Sequence, residues 1–167
     1  MKLWITPLAS LLLAACASYS GSGLKPGEAQ LDEVQRVMGQ PAMRWQDADG
    51  SVKLAYPRGP LGFHTFMVTL GPDGRLQRIA NVLEEDGFAQ IRAGLSKEQV
   101  LRVLGPPDYG IAVYFKARDE LVWSWHFCSI FGVPARFQVL FDGTSGKVRS
   151  ALSQVEVRVR RAEHCNR

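Results

Sequence analysis

The stretch LDEVQRVMGQP at Leu31–Pro41 is written again, 66 residues later, as KEQVLRVLGPP at Lys97–Pro107. Val34 corresponds to Val100, Arg36 to Arg102, Val37 to Val103, Met38 to Leu104, Gly39 to Gly105 and Pro41 to Pro107. Upstream, LKPG at Leu24–Gly27 echoes IRAG at Ile91–Gly94, with one residue inserted in the first copy. A chain that repeats itself on this scale builds one supersecondary unit twice. The unit itself is legible. Ser96 can cap a helix with Glu98 and Gln99 in its first turn. Val100, Val103 and Leu104 then recur on one apolar face, as Val34, Val37 and Met38 do in the first copy. Gly105 and Gly39 follow as left-handed C-caps, and the prolines after them forbid continuation. Each copy predicts a short amphipathic helix with a hard stop.

Aromatic and β-branched runs separated by turn residues follow each helix and predict hairpins. After the first come Met43–Gln46, Val52–Tyr56, Phe63–Leu70 and Arg75–Val82. After the second come Ile111–Phe115, Leu121–Phe127, Phe137–Phe141 and Val148–Ser153. A helical stretch from Glu84 to Ile91 links the halves. Val155, Val157 and Val159 alternate with Glu156, Arg158 and Arg160 as a half-buried strand would.

Ile91, Gly94, Gln99, Val100, Leu104, Gly105 and Pro107, followed by a meander with Trp123-Ser124-Trp125, resemble the SmpA/OmlA (BamE-like) lipoprotein domain. Leu54-Ala55-Tyr56 is the weaker counterpart of that strand in the first half. Two such units in tandem also resemble the β-lactamase inhibitor protein architecture. The resemblance implies an α+β fold in which the helices pack on one face of antiparallel sheet. It divides the chain into a first unit at 24–83, a second at 84–153, and a C-terminal strand and basic tail at 154–167. The duplication sets the chain apart from a single-domain BamE.

The start of the chain has a different grammar. Lys2 supplies a positive charge, Leu3 to Leu13 an apolar run, and Ala14-Ala15 the small residues of a cleavage site. That run is shorter than the ~20 residues a membrane-spanning helix needs. Leu13-Ala14-Ala15-Cys16 resembles the lipobox of bacterial lipoproteins, which makes residues 1–15 a signal peptide and Cys16 the lipid attachment point. Residues 16–23 read as a small, polar, flexible tether. Alanine after the cysteine implies, by the same resemblance, an outer-membrane address on the periplasmic face. Setting Cys16 aside leaves Cys128 and Cys165, an even pair in an oxidising compartment. A disulfide closing the tail onto the body is expected, with two separate buried thiols as the alternative.

Signals for chemistry are sparse. His64, His126 and His164 have no metal-ligand spacing, and no GxSxG elbow or phosphate-binding loop is present. The reading is therefore no catalytic residues, no metal and no cofactor. A net charge of +4 without a broad basic face argues against nucleic acid. What remains is aromatic surface. Alternation puts Leu121, Trp123, Trp125 and Phe127 on one face, and CSIFGVPA carries Ile130 and Phe131 into a loop. Trp123, Trp125, Ile130 and Phe131 form the candidate interaction surface, with core packing as the competing role for the tryptophans. The expected function is a non-enzymatic, lipid-anchored protein that binds a periplasmic or outer-membrane protein partner in outer-membrane protein assembly or envelope integrity. An inhibitor or ligand-sequestering module is the alternative; it calls for a free, concave aromatic sheet face.

Overall fold

A computed structural model of the chain describes residues 20–58, 62–156 and 165. The fold is α+β with two four-stranded antiparallel sheets. The first orders β1 (Met43–Gln46), β2 (Val52–Pro57), β3 (Thr65–Leu70) and β4 (Leu76–Asn81) as a meander. The second orders β5 (Val113–Phe115), β6 (Glu120–Cys128), β7 (Pro134–Asp142) and β8 (Val148–Val155) in the same way. The helices are α1 (Leu31–Met38), α2 (Glu85–Phe88) and α3 (Lys97–Leu104). α1 and α3 keep the 66-residue offset of the sequence repeat at both ends. The loops before them match too: Gly27 N–H donates to Leu76 O at 2.7 Å, and Gly94 N–H to Val148 O at 2.8 Å.

Two apolar clusters fill the interior. Val34 and Met38 of α1 share one with Leu54, Tyr56, Val68, Leu70 and Leu76. Val100, Leu101 and Leu104 of α3 share the other with Trp123, Trp125, Phe137, Val139 and Phe141. Leu101 joins the buried side of α3 while Val103 is half-buried, a broader apolar stripe than the three-residue face predicted. Ser96 caps α3 in a reciprocal capping box with Gln99, at 3.2 Å and 2.8 Å. Gln30, at the start of α1, makes no such bond.

Several elements depart from expectation. Gly39 and Gly105 do end the helices, but with φ 84°, ψ −164° and φ 73°, ψ −171°, not in the left-handed helical region. Positive φ with extended ψ is open essentially to glycine alone, and it throws the chain away from the helix axis into the following prolines. The linking helix shrinks to one turn, α2, because a Cβ at its buried Gly87 would meet Val82 O at 2.0 Å, leaving glycine, a poor helix former, in its middle. Of the tether, residues 20–23 lie in the described region, and Gly21 is buried: a Cβ there would meet Ile79 Cδ1 at 2.5 Å and Met38 Sδ at 3.2 Å. The fold thus takes in the chain from Gly21, not from Leu24. Cys16, residues 1–15 and the strand and tail positions 157–164 lie outside the described residues.

The halves are joined through α3. Met43 and Trp45 of β1 pack against the second cluster, not the first. Trp45 Nε1–H donates to Glu98 at 2.5 Å, and Arg102 donates to Asp47 Oδ1 at 3.1 Å and 2.5 Å. Trp125 Nε1–H donates to Gly105 O at 3.2 Å, tying the end of α3 to β6.

At the far end of the second sheet, two carboxylates hold the hairpin turns together. Asp119 accepts from Tyr114 Oη and from Thr144 N and Oγ1, while Asp142 accepts from Ser145 N and from Arg149. The Ser145 amide and the Arg149 guanidinium hold Asp142 down, from 3.8 to about 2. Between those values the unfolded chain binds the proton and the folded one does not, so the stabilisation from this group is lost as pH falls from about 4 to about 2. An NMR titration should show the Ser145 amide shifting with a midpoint near 2, and Asp142→Asn should flatten that part of the acid-stability curve.

Candidate functional site

A groove of about 730 Å³ opens where the ends of the two sheets meet. Phe63 and Phe66 line it from the first half, Phe88 from α2, and Phe127, Phe131 and Val155 from the second. Phe66 of β3 and Phe127 of β6 face the same opening from different sheets. Phe88 forms the floor, stacked on Phe137 at 4.1 Å and edge-on to Phe127 at 4.8 Å. His64 stacks on Phe66 at 5.9 Å, and burial, then nearby Arg58, push its pKa down against the opposing pull of Glu84. Glu84, Glu85 and Asp86 add an exposed acidic wall. This is an apolar cleft with a charged lip, the build of a binding surface.

Its outer rim is the loop after β6. Phe131 is 78% exposed and Ile130 65% exposed. The loop is closed by Ser129 N–H to Val133 O and Gly132 N–H to Ser129 O, both 2.9 Å, and by Cys165 N–H to Gly132 O at 3.2 Å. Cys128 and Cys165 form a disulfide directly behind it. The backbone that presents Phe131 is held by these bonds, so little backbone freedom is left to lose when the ring meets a partner.

The expected surface therefore divides. Ile130 and Phe131 are at the surface, on the groove's rim. Trp123 and Trp125 are not: they are 9% and 2% exposed and sit inside the second cluster. Two large indoles that share a buried cluster with Val100, Leu101 and Leu104 are worth more to the core than to a partner. The sequence reading missed Phe88 and the three acids as groove residues. The acids were legible only as a helix start, and their place on the groove depends on how the halves meet.

A smaller cavity of about 380 Å³ lies beside Trp125, His126, Pro106 and Asp108. His126 is buried, with Nε2 3.5 Å from Glu156 Oε1, a carboxylate that also accepts from Arg136; the His126 Nδ1 has no hydrogen-bond partner among the described residues. Among the described residues no three His, Cys, Asp or Glu side chains are grouped to hold a metal ion. Likewise, no described helix is long and apolar enough to cross a membrane. Comparison of the chain with protein-family models, curated proteins and solved structures gives no match.

Proposed function

We propose that this chain is a non-enzymatic lipoprotein, anchored in the outer membrane through Cys16, whose periplasmic domain binds a protein partner through the phenylalanine groove and the Ile130–Phe131 tip. The observation that carries the binding half is the pinned, exposed Phe131 at the mouth of an apolar cleft. The anchoring half rests on the Leu13-Ala14-Ala15-Cys16 sequence behind its apolar run. In this reading the domain is two helix-plus-meander units of the BamE-like kind, each helix covering its own sheet. The matching helix offsets, the matching glycine stops and the two meanders support it. Outer-membrane protein assembly or envelope integrity is the setting the resemblance suggests. The inhibitor reading is the weaker one, because the aromatic sheet face it needs is occupied by Leu83, Ile91, Val100, Leu101 and Leu104 of the same chain.

Anchoring has a direct test. In cells fed an alkyne fatty acid, the wild-type chain should take up label and fractionate with the outer membrane. Cys16→Ser should lose the label and pass into the soluble periplasmic fraction. A mutant that still labels refutes the anchor, whatever the domain binds.

A further inference from the structure

Each sheet has two edges, and three of the four are defended against strand pairing. β1 has four residues including Arg44, β5 has three, and β4 carries Arg78 beside a β-bulge in its ladder. Short length, charge and bulges are the usual devices that keep an edge from accepting a foreign strand. β8 is different. It runs eight residues, and after Arg149 the sequence Ser150-Ala151-Leu152-Ser153-Gln154-Val155 has no charge, proline or glycine. Leu152 to Val155 are all exposed.

The register says which groups that edge offers. Glu156 N–H donates to Pro134 O at 3.0 Å, so Pro134 and Glu156 are a hydrogen-bonded pair. Alternation makes Arg136–Gln154, Gln138–Leu152 and Leu140–Ser150 the next such pairs. The N–H and C=O groups of Ala151, Ser153 and Val155 therefore point away from β7, along an edge that pairs with no other strand among the described residues. The side chains of Ser153 and Val155 line the phenylalanine groove. A strand laid against β8 would send alternate side chains into that groove. Nearby stand Glu85 and Asp86, which take part in no ion pair among the described residues.

We propose that β8 is a strand-addition site: it takes an extended segment of another polypeptide, apolar at alternate positions and carrying a basic residue. Main-chain hydrogen bonds to Ala151, Ser153 and Val155 supply the register, the groove takes the apolar side chains, and the acidic wall takes the cation. This names the kind of partner for the groove and rests on the partner-binding half of the reading above, not on the anchor. Failed acyl labelling leaves it standing, and its own failure leaves the anchor standing.

The test uses the full chain from residue 17 onward, oxidised. The probe is a fluorescein-labelled peptide of about eight residues, alternating valine and threonine with lysine at both ends. Anisotropy should report saturable binding, and hydrogen exchange at Ala151, Ser153 and Val155 should slow when the peptide is present. Ser153→Pro removes an outward N–H without breaking the β7 ladder, a position where a strand tolerates proline. It should weaken binding at least tenfold. If Ser153→Pro fails to fold, Ser153→Lys supplies the edge charge instead, with the same loss expected. The same peptide N-methylated at alternate backbone nitrogens should not bind. No binding, or binding indifferent to the edge variant and to N-methylation, overturns the proposal. So does a sedimenting dimer that Ser153→Pro dissolves, which would make a second copy of the chain the occupant.

Discussion

Gly105→Ala should cost about 4 kcal/mol of folding stability, and the equivalent change at Gly39 only about 2 kcal/mol, although the two glycines have nearly the same backbone conformation. Both sit at positive φ with extended ψ, and forcing alanine there costs about 1–3 kcal/mol. At Gly39 that is the whole effect, since a Cβ would find nothing within 4 Å. At Gly105 the new methyl would stand 2.8 Å from Thr65 Cγ2 and 3.4 Å from Ala55 Cβ. Neither atom is the far end of a flexible side chain. Both belong to buried residues of the first sheet, so the clash adds an overpacking cost of about 1–3 kcal/mol. Urea unfolding should show the larger drop in midpoint for Gly105→Ala with little change in slope. Adding Thr65→Ser, which removes Cγ2, should restore part of the loss in Gly105→Ala and none in Gly39→Ala. Equal losses at the two glycines would mean that the end of α3 does not press on the first sheet.

That difference marks the boundary of what the sequence revealed. Much of what is local in the chain was legible: most of the apolar stripe of each helix, the position of its glycine-proline stop, the turn residues of each hairpin and the alternation of β6. Those signals come from neighbours in the chain, and the repeat supplied the helix stripe and its stop twice. What lay out of reach was the meeting of the two halves. Trp45 looks like a strand aromatic of the first unit, yet it packs with α3 and bonds to Glu98. Trp123 and Trp125 look as ready for a partner as Phe131 does, and only the position of α3 decides that they are core. Glu84, Glu85 and Asp86 look like a helix start and become a groove wall once Phe63 and Phe127 face each other. Periodicity reports which residues share a face; it carries no information on what that face meets.

Removing the Cys128–Cys165 bridge should be as damaging to stability as Gly105→Ala and more damaging to binding. The bridge spans a sequence separation of 37 residues, and releasing it returns about 3–4 kcal/mol of chain entropy to the unfolded state. The double variant Cys128→Ser/Cys165→Ser should lose that much in urea unfolding, and reductant should do the same to the wild type while leaving the variant unchanged. The local consequence is the more informative one. Cys165 N–H reaches Gly132 O only while the tail is held against the body, and Cys128 itself lines the groove. With the bridge gone, the turn loses that outside tie and is left with its internal bonds, among them Ser129 N–H to Val133 O, Gly132 N–H to Ser129 O and Val133 N–H to Ser129 Oγ. Amide exchange at Gly132 and Val133 should then rise far more than exchange at Val139, deep in the same sheet. Phe131 would still be exposed but no longer fixed, so any partner that engages it must order the tip at its own cost. A variant destabilised by the expected amount whose Gly132 and Val133 amides stay protected would separate the two roles, leaving the disulfide a brace for the tail and the tip rigid by its own hydrogen bonds.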